Sequence, residues 1–253
     1  MQAQPGTGIE PHDPGSRTGD SQVMERMAGH TQRAYARLAG LMYFIVLGFD
    51  IAGSLIVSSI TGNGSFIEAS HQIMASETLY RIGLCCSLAG SLSVIPLAIG
   101  LYVAVKPGDA NLALMALLFR VAEATIGGMG IILSFTVLQI SLAANHANAF
   151  DVNQLGALAG FSSGVGTQVS AIFFTLGSTI FFSVFLKARS IPRILSAWGI
   201  FASLVYMVYW FVSLILPQYS ATVAVYSSLP ILIAEISTGL WLLIAGVKVQ
   251  PRK

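Results

Sequence analysis

Residues 37–60 read RLAGLMYFIVLGFDIAGSLIVSSI, an arginine followed by an apolar run with a single ionisable side chain, Asp50. At about 1.5 Å per residue a helix of this length crosses the roughly 30 Å hydrocarbon core of a bilayer. The run does not alternate and far exceeds a barrel strand, so a helix is the element it predicts. Five further runs of the same kind occupy 78–105, 112–141, 165–186, 195–216 and 223–247. The expected fold is all-α, a polytopic integral membrane bundle of six transmembrane helices with the lipid bilayer as its partner. Composition agrees: 55% of residues are hydrophobic and 9% charged, whereas soluble domains carry about 25% charged residues.

The cations sort themselves around these spans. Of 13 Lys and Arg, Arg17, Arg26, Arg33 and Arg37 precede span one. Lys106 lies in the second loop, and Lys187, Arg189 and Arg193 lie in the fourth. Lys248, Arg252 and Lys253 close the chain. The first, third and fifth loops hold none, and Arg81 and Arg120 fall inside spans. Positive residues accumulate on the cytoplasmic side, so the pattern predicts an N-in, C-in topology. The net charge of +2 is therefore a topology signal. No basic run with interleaved aromatics suggests a nucleic-acid partner. Residues 1–36, rich in Gly, Pro, Ser and Asp, are expected to form a disordered cytoplasmic tail without a cleavable signal peptide, leaving span one as its own insertion signal. Residues 37–248 form the six-helix domain and 249–253 a short basic cytoplasmic end.

Ionisable groups inside the spans carry what functional information there is. Asp50, Glu123 and Glu235 fall near the midplane, with Arg120 one turn from Glu123. Glu77 and Arg81 form an i, i+4 pair towards the outer end of span two. A charge at the bilayer centre costs roughly 2.5–3.5 kcal/mol on insertion scales, so these groups should face the bundle interior. Arg120 and Glu123, at i and i+3, are neighbours on one helix face, and Arg120 is the expected partner from another helix for Asp50 and Glu235. Three acids around one base sum to −2 when ionised, so at least one acid is expected to hold a proton near neutral pH. Asp50, Arg120, Glu123 and Glu235 then read as the midplane polar site of a small carrier or proton-linked permease, moving an unknown small solute or a proton. The alternative reading makes the same residues the internal lock of a non-catalytic scaffold or sensor. A lipid-modifying enzyme with a carboxylate acid–base pair is a third reading, but no catalytic residue is nominated and the reading leans away from an enzyme.

Breakers lie close to these charges. Pro96 and Gly100 are expected to interrupt span two, Gly127, Gly128 and Gly130 to soften span three, and Pro230 to break span six before Glu235. Broken helices beside midplane charges point to transporter sites; small residues also serve close helix contact, as Gly156, Gly160 and Gly164 are expected to do. An ungapped shift of 112 residues places Arg81 on Arg193, Ala122 on Ala234, Glu123 on Glu235 and Gly127 on Gly239. A 3+3 inverted repeat would require such a shift, although identity along it is close to background. A homo-oligomer is left open.

Other chemistry is sparse. Cys85 and Cys86 are neighbours about 100° apart on a helix, which suits packing better than a disulfide or a metal pair. Residues 160–164 spell G-x-S-x-G without the strand–turn–helix setting a nucleophile elbow needs. No histidine lies in a span, which argues against haem and an intramembrane zinc hydrolase. His71 and His146, with Glu68 and Asp151, occupy outer loops without close metal-ligand spacing, so no metal is assigned. No phosphate-binding glycine loop occurs, and no cofactor is expected.

Several short motifs, Ala36-Arg37-Leu38-Ala39-Gly40-Leu41-Met42-Tyr43, Leu79-Tyr80-Arg81-Ile82-Gly83, Leu118-Phe119-Arg120-Val121-Ala122-Glu123, Ile191-Pro192-Arg193-Ile194-Leu195 and Ala234-Glu235-Ile236 with Leu240-Trp241-Leu242-Leu243, occur in an ordered spacing. On them the chain resembles the bacterial membrane family catalogued as domain of unknown function 4386, from about residue 37 to 248. The resemblance implies a multi-pass protein of the bacterial cytoplasmic (inner) membrane and brings no activity with it. That family tends to show an Asp in the first outer loop, where this chain has Phe66-Ile67-Glu68.

Overall fold

The computed structural model of the chain describes residues 14–62, 66–144 and 152–249. The described residues are helical, with no strand among them. The helices are α1 (Pro14–Thr61), α2 (Phe66–Ala75), α3 (Glu77–Val105), α4 (Ala110–Ala144), α5 (Val152–Ala188), α6 (Arg193–Ile215) and α7 (Ser220–Ile244), with a 3₁₀ turn at Pro217–Tyr219. Six of them, all but α2, are long and apolar enough to cross a membrane. The protein is a multi-pass membrane protein.

The six long helices form a ring. α1 packs on α3, α3 on α4, α4 on α5, α5 on α6 and α6 on α7, and α7 returns to α1. A ring of six helices leaves an axial space that side chains must either fill or line. At the end carrying Arg37, Lys106, Lys187, Arg193 and Lys248, called here the basic end, the space is filled. Phe181, Phe182 and Phe185 of α5 meet Leu97 and Leu101 of α3 and Tyr43 of α1 in one buried cluster. Small residues let the helices close around it: Ala36, Ala39, Ala104, Ala113, Ala116 and Ala202 are buried in the same cluster. At Gly199 a methyl group would overlap the Phe182 ring. A smaller cluster of Ile60, Ile73, Tyr80, Leu84 and Leu138 joins α1, α2, α3 and α4 at the opposite end.

Close approach at the α1 seams depends on missing side chains. A Cβ at Gly40 would lie 2.5 Å from the Leu243 backbone N and 2.7 Å from the Gly239 carbonyl O on α7. A Cβ at Gly100 would lie 2.9 Å from the Tyr35 carbonyl O. Such backbone contacts are how membrane helices gain dispersion energy where lipid offers no hydrophobic contrast.

Two expectations from sequence change here. The unstructured tail expected for 1–36 is helical from Pro14 onward; residues 1–13 lie outside the described residues. The helix continues because α3 ends beside it: Gln32 is buried and its Nε2 donates to the Ala104 carbonyl at 2.7 Å. At 48 residues α1 is about 72 Å long, more than twice the hydrocarbon thickness. Pro96 and Pro230 lie inside continuous α3 and α7, and the glycines at 127, 128 and 130 lie inside continuous α4. These helices are therefore not broken, since neighbours in a ring can hold a proline-containing helix in register. The segment between α1 and α3 forms α2, which packs on α1, α3, α4 and α5.

Between α3 and α4 the chain turns at the basic end, and Asp109 organises the turn. Its Oδ1 accepts the Leu112 backbone N–H at 3.1 Å, capping α4, while Lys187 Nζ of α5 donates to Oδ2 at 2.8 Å. The Lys187 hydrogen bond, with the backbone N–H bonds, holds the Asp109 carboxyl below its ordinary value of 3.8. A lowered folded pKa means the stabilisation is present above 3.8 and is lost as pH falls through the folded value.

Thermal melts in detergent should therefore show Asp109→Asn less stable than wild type at neutral pH, with the gap closing as the medium is acidified below the carboxylate range. A gap that stays constant down to strong acid would refute the assignment. Gly40→Ala should cost about 1–3 kcal/mol by forcing α1 from α7. Gly128→Ala, whose Cβ would meet nothing within 4 Å, should be neutral or slightly stabilising. Equal losses at the two sites would remove the close-contact account of the seam.

Candidate functional site

Above the aromatic plug the ring is hollow. An open cavity of about 800 Å³ lies on the ring axis and is lined by all six long helices. That volume is in the range of small-molecule pockets. Along α4 the lining runs from Arg120 to Ile131, and along α7 from Glu235 to Ala224. Either stretch gives a depth of about 16 Å at 1.5 Å per residue. Both run away from the basic end, so the cavity has a floor near the middle of the bundle and extends towards the opposite end.

Asp50, Arg120, Glu123 and Glu235 all line this cavity. α1 contributes Asp50, α4 contributes Arg120 and Glu123 one turn apart, and α7 contributes Glu235. Arg120 is in electrostatic reach of all three carboxylates. Its partner by contact is on its own helix: Nη1 lies 3.1 Å from Glu123 Oε2. This is an ion pair by distance, without the alignment of a hydrogen bond, since Glu123 Oε2 and Arg120 Nε have no hydrogen-bond partner. Nη1 also donates to Ser178 Oγ at 3.5 Å, and the guanidinium carbon lies 4.8 Å from the centre of the Phe174 ring. The arginine stem packs on Gly177, where a Cβ would be 3.0 Å from Arg120 Cγ and Cδ. Arg120 is 2% exposed, and this enclosure turns it towards α5.

The expectation that Arg120 would pair with Asp50 and Glu235 is not met. Neither carboxylate has an ion pair or hydrogen bond among the described residues. Asp50 is exposed to the cavity and lies against α3 at Gly90, where a Cβ would overlap its Oδ1. The physical reason is that α5 supplies Arg120 with Ser178, Phe174 and the Gly177 gap, which hold the guanidinium against α5. Glu77 and Arg81 pair as expected, Arg81 Nη2 lying 2.7 Å from Glu77 Oε1. That pair is partly exposed at the end opposite the basic loops and lines no part of the cavity.

Other lining groups had no charge to announce them. Ser91 Oγ donates to the Ala124 carbonyl and Ser170 Oγ to the Glu123 carbonyl, each at 2.9 Å, tying α3 and α5 to α4. Gly127 sits between the two hydroxyls, 3.2 and 3.3 Å from where its Cβ would be. Phe174, Tyr206 and Trp210 form an aromatic wall, with Tyr206 and Trp210 at 5.5 Å between ring centres. Their i, i+4 spacing on α6 was the one signal in the sequence for this wall. Cys85 is exposed on α3 and Cys86 half-buried, both free. Residues 160–164 are helical backbone within α5. His146 and Asp151 lie outside the described residues.

Arg120→Gln should lower stability by about 3–5 kcal/mol, because Glu123 would keep a buried charge without its partner. Asp50→Asn and Glu235→Gln should leave the melting temperature unchanged or raise it, having no pair to lose. A large destabilisation by either of these two would mean that they are held by contacts in the membrane-embedded protein.

A family model described as "Domain of unknown function (DUF4386)" matches residues 38–246. No curated protein and no solved structure matches the chain. The match reaches into all six membrane-spanning segments and takes in each of the four cavity-lining charges, so the chain belongs to the DUF4386 family, whose function is unknown.

Proposed function

We propose that the protein is a small carrier of the bacterial cytoplasmic membrane, proton-linked through Asp50 and Glu235, with its site at the floor of the axial cavity. The observation that carries this reading is the cavity itself. It reaches from unpartnered carboxylates in the middle of the bundle to the end opposite the basic loops, while an aromatic plug fills the other half. With N-in, C-in topology the basic end faces the cytoplasm, and the site is open to the outside. Transport would then require the plug of Phe181, Phe182 and Phe185 to part as the outer half closes. Asp50 and Glu235, each facing the cavity without a cation, are the groups that can take up and release a proton with the solute.

A second reading has its own observation. The Arg120–Glu123 pair, with Ser178 and Phe174, is enclosed and resembles a packing lock. The two readings divide the four residues: Arg120 and Glu123 hold helices, Asp50 and Glu235 face the solute.

The test is solute-dependent proton movement into vesicles that hold the purified protein and a trapped pH-sensitive dye, with panels of small amines, amino acids and sugars outside. The carrier reading expects at least one solute to drive acidification, and expects Glu235→Gln to abolish it while melting like wild type. If every solute leaves the dye unchanged for wild type as for Glu235→Gln, the carrier reading fails and the Arg120–Glu123 lock is what the site provides.

A further inference from the structure

A second concavity lies on the outside of the ring, away from the axial cavity. Between α6 and α7 a groove of about 460 Å³ is walled by Ile194, Leu195 and Trp198 on one side and Ile233, Ser237 and Trp241 on the other. Its surface is almost wholly apolar, and it faces outward: Ile194 is 85% and Ile233 54% exposed. Trp198 spans the seam, its Nε1 donating to the Pro230 carbonyl at 3.2 Å. The two indoles near the basic end suit the interfacial level of a bilayer, where tryptophan concentrates.

The mouth of the groove is at the basic end, and the chemistry changes there from apolar to cationic. Arg193, between the groove residues Pro192 and Ile194, is exposed and opens α6. Arg189 is exposed in the turn just before it. Exposed Lys248 joins them because its backbone N–H donates to the Ser190 carbonyl at 3.0 Å. None of these three cations has an acidic partner among the described residues. The nearby carboxylate that could serve, Asp109, is bonded to Lys187. Pro192, at the N-cap of α6, offers no side-chain cap, so the first N–H groups of that helix have no side-chain acceptor. An uncapped helix start with adjacent cations favours a phosphate.

We propose that the α6–α7 groove is a binding site for an anionic phospholipid, one acyl chain lying between Trp198 and Trp241 and the headgroup phosphate at the start of α6 among Arg193, Arg189 and Lys248. Apolar groove, cations and uncapped helix start meet within one turn of α6, in the order in which a phospholipid presents its tail and its charge. Basic pockets between transmembrane helices bind anionic headgroups by this arrangement. The site is separate from the axial cavity and stands whether or not the protein is a carrier.

The experiment is native mass spectrometry of the full-length protein in detergent, with phosphatidylglycerol and phosphatidylcholine of identical acyl chains as competing probes. Wild type should retain phosphatidylglycerol preferentially. Arg193→Gln should cut that preference by about fivefold, the effect of one interfacial cation. Ser237→Phe, which fills the groove, should remove retention of both lipids while the melting temperature of the lipid-free protein stays near that of wild type. Equal retention of the two lipids by wild type would overturn the proposal. So would a Ser237→Phe variant that still selects phosphatidylglycerol, which would place the lipid elsewhere on the basic end. Inorganic phosphate displacing the lipid at millimolar concentration would assign the cations to a free anion. A lipid-free dimer would assign the groove to a second copy of the chain.

Discussion

A guanidinium in the middle of a membrane-spanning bundle has to be enclosed, and the enclosure of Arg120 shapes the ring around it. Lipid offers it no hydrogen-bond acceptor and no screening. Glu123 neutralises it from the same helix, Ser178 and Phe174 receive it from α5, and Gly177 leaves room for its stem. These contacts draw α4 and α5 together at mid-depth. The buried aromatic plug begins immediately towards the basic end of this level, and the cavity begins immediately on its other side. Arg120 thus stands at the boundary between the filled and hollow halves of the ring.

That boundary also explains why the other two acids are left without cations. One arginine can satisfy only so many carboxylates, and its geometry is already committed to α5. Asp50 and Glu235 remain on the cavity wall, where water can solvate what protein does not. Leaving a charge beside water is far less costly than burying it in a dry core. The hollow and the unpaired acids therefore depend on each other: without the cavity the acids would need partners, and without the acids the cavity could fill with apolar side chains. Ser91 and Ser170 reinforce this level by binding carbonyls of α4, which keeps polar groups satisfied along a wall that no side chain fills.

On the outer surface a different constraint operates. Membrane helices present apolar side chains to lipid all round, and a groove there is a place where lipid itself can be held. The α6–α7 seam is distinguished from the rest of the exterior by the cations gathered at its mouth, which the return of the C-terminal segment to Ser190 brings together.

Much of this architecture was legible from residues 37–60 onward. Apolar length against bilayer thickness set the number of spans, because backbone groups in hydrocarbon leave a helix as the economical way across. The absence of Lys and Arg from alternate loops marked two unlike ends, since charge placement is written directly in the chain. Midplane carboxylates could be listed by counting residues. Partners on the same helix could be read from i, i+3 and i, i+4 spacing, but partners on other helices could not, because that pairing depends on which helix face meets which neighbour, and apolar membrane helices carry little amphipathic signal to say so. Hence the i, i+3 contact of Arg120 with Glu123 was readable, but Arg120 was also assigned to Asp50 and Glu235, and the ring turned it towards α5 instead. The extension of α1 back to Pro14, the packing of α2 over four helices, and the filled and hollow halves of the ring were also tertiary decisions. Each rests on the volume left between helices, a quantity that belongs to the assembled bundle and to no single segment of the sequence.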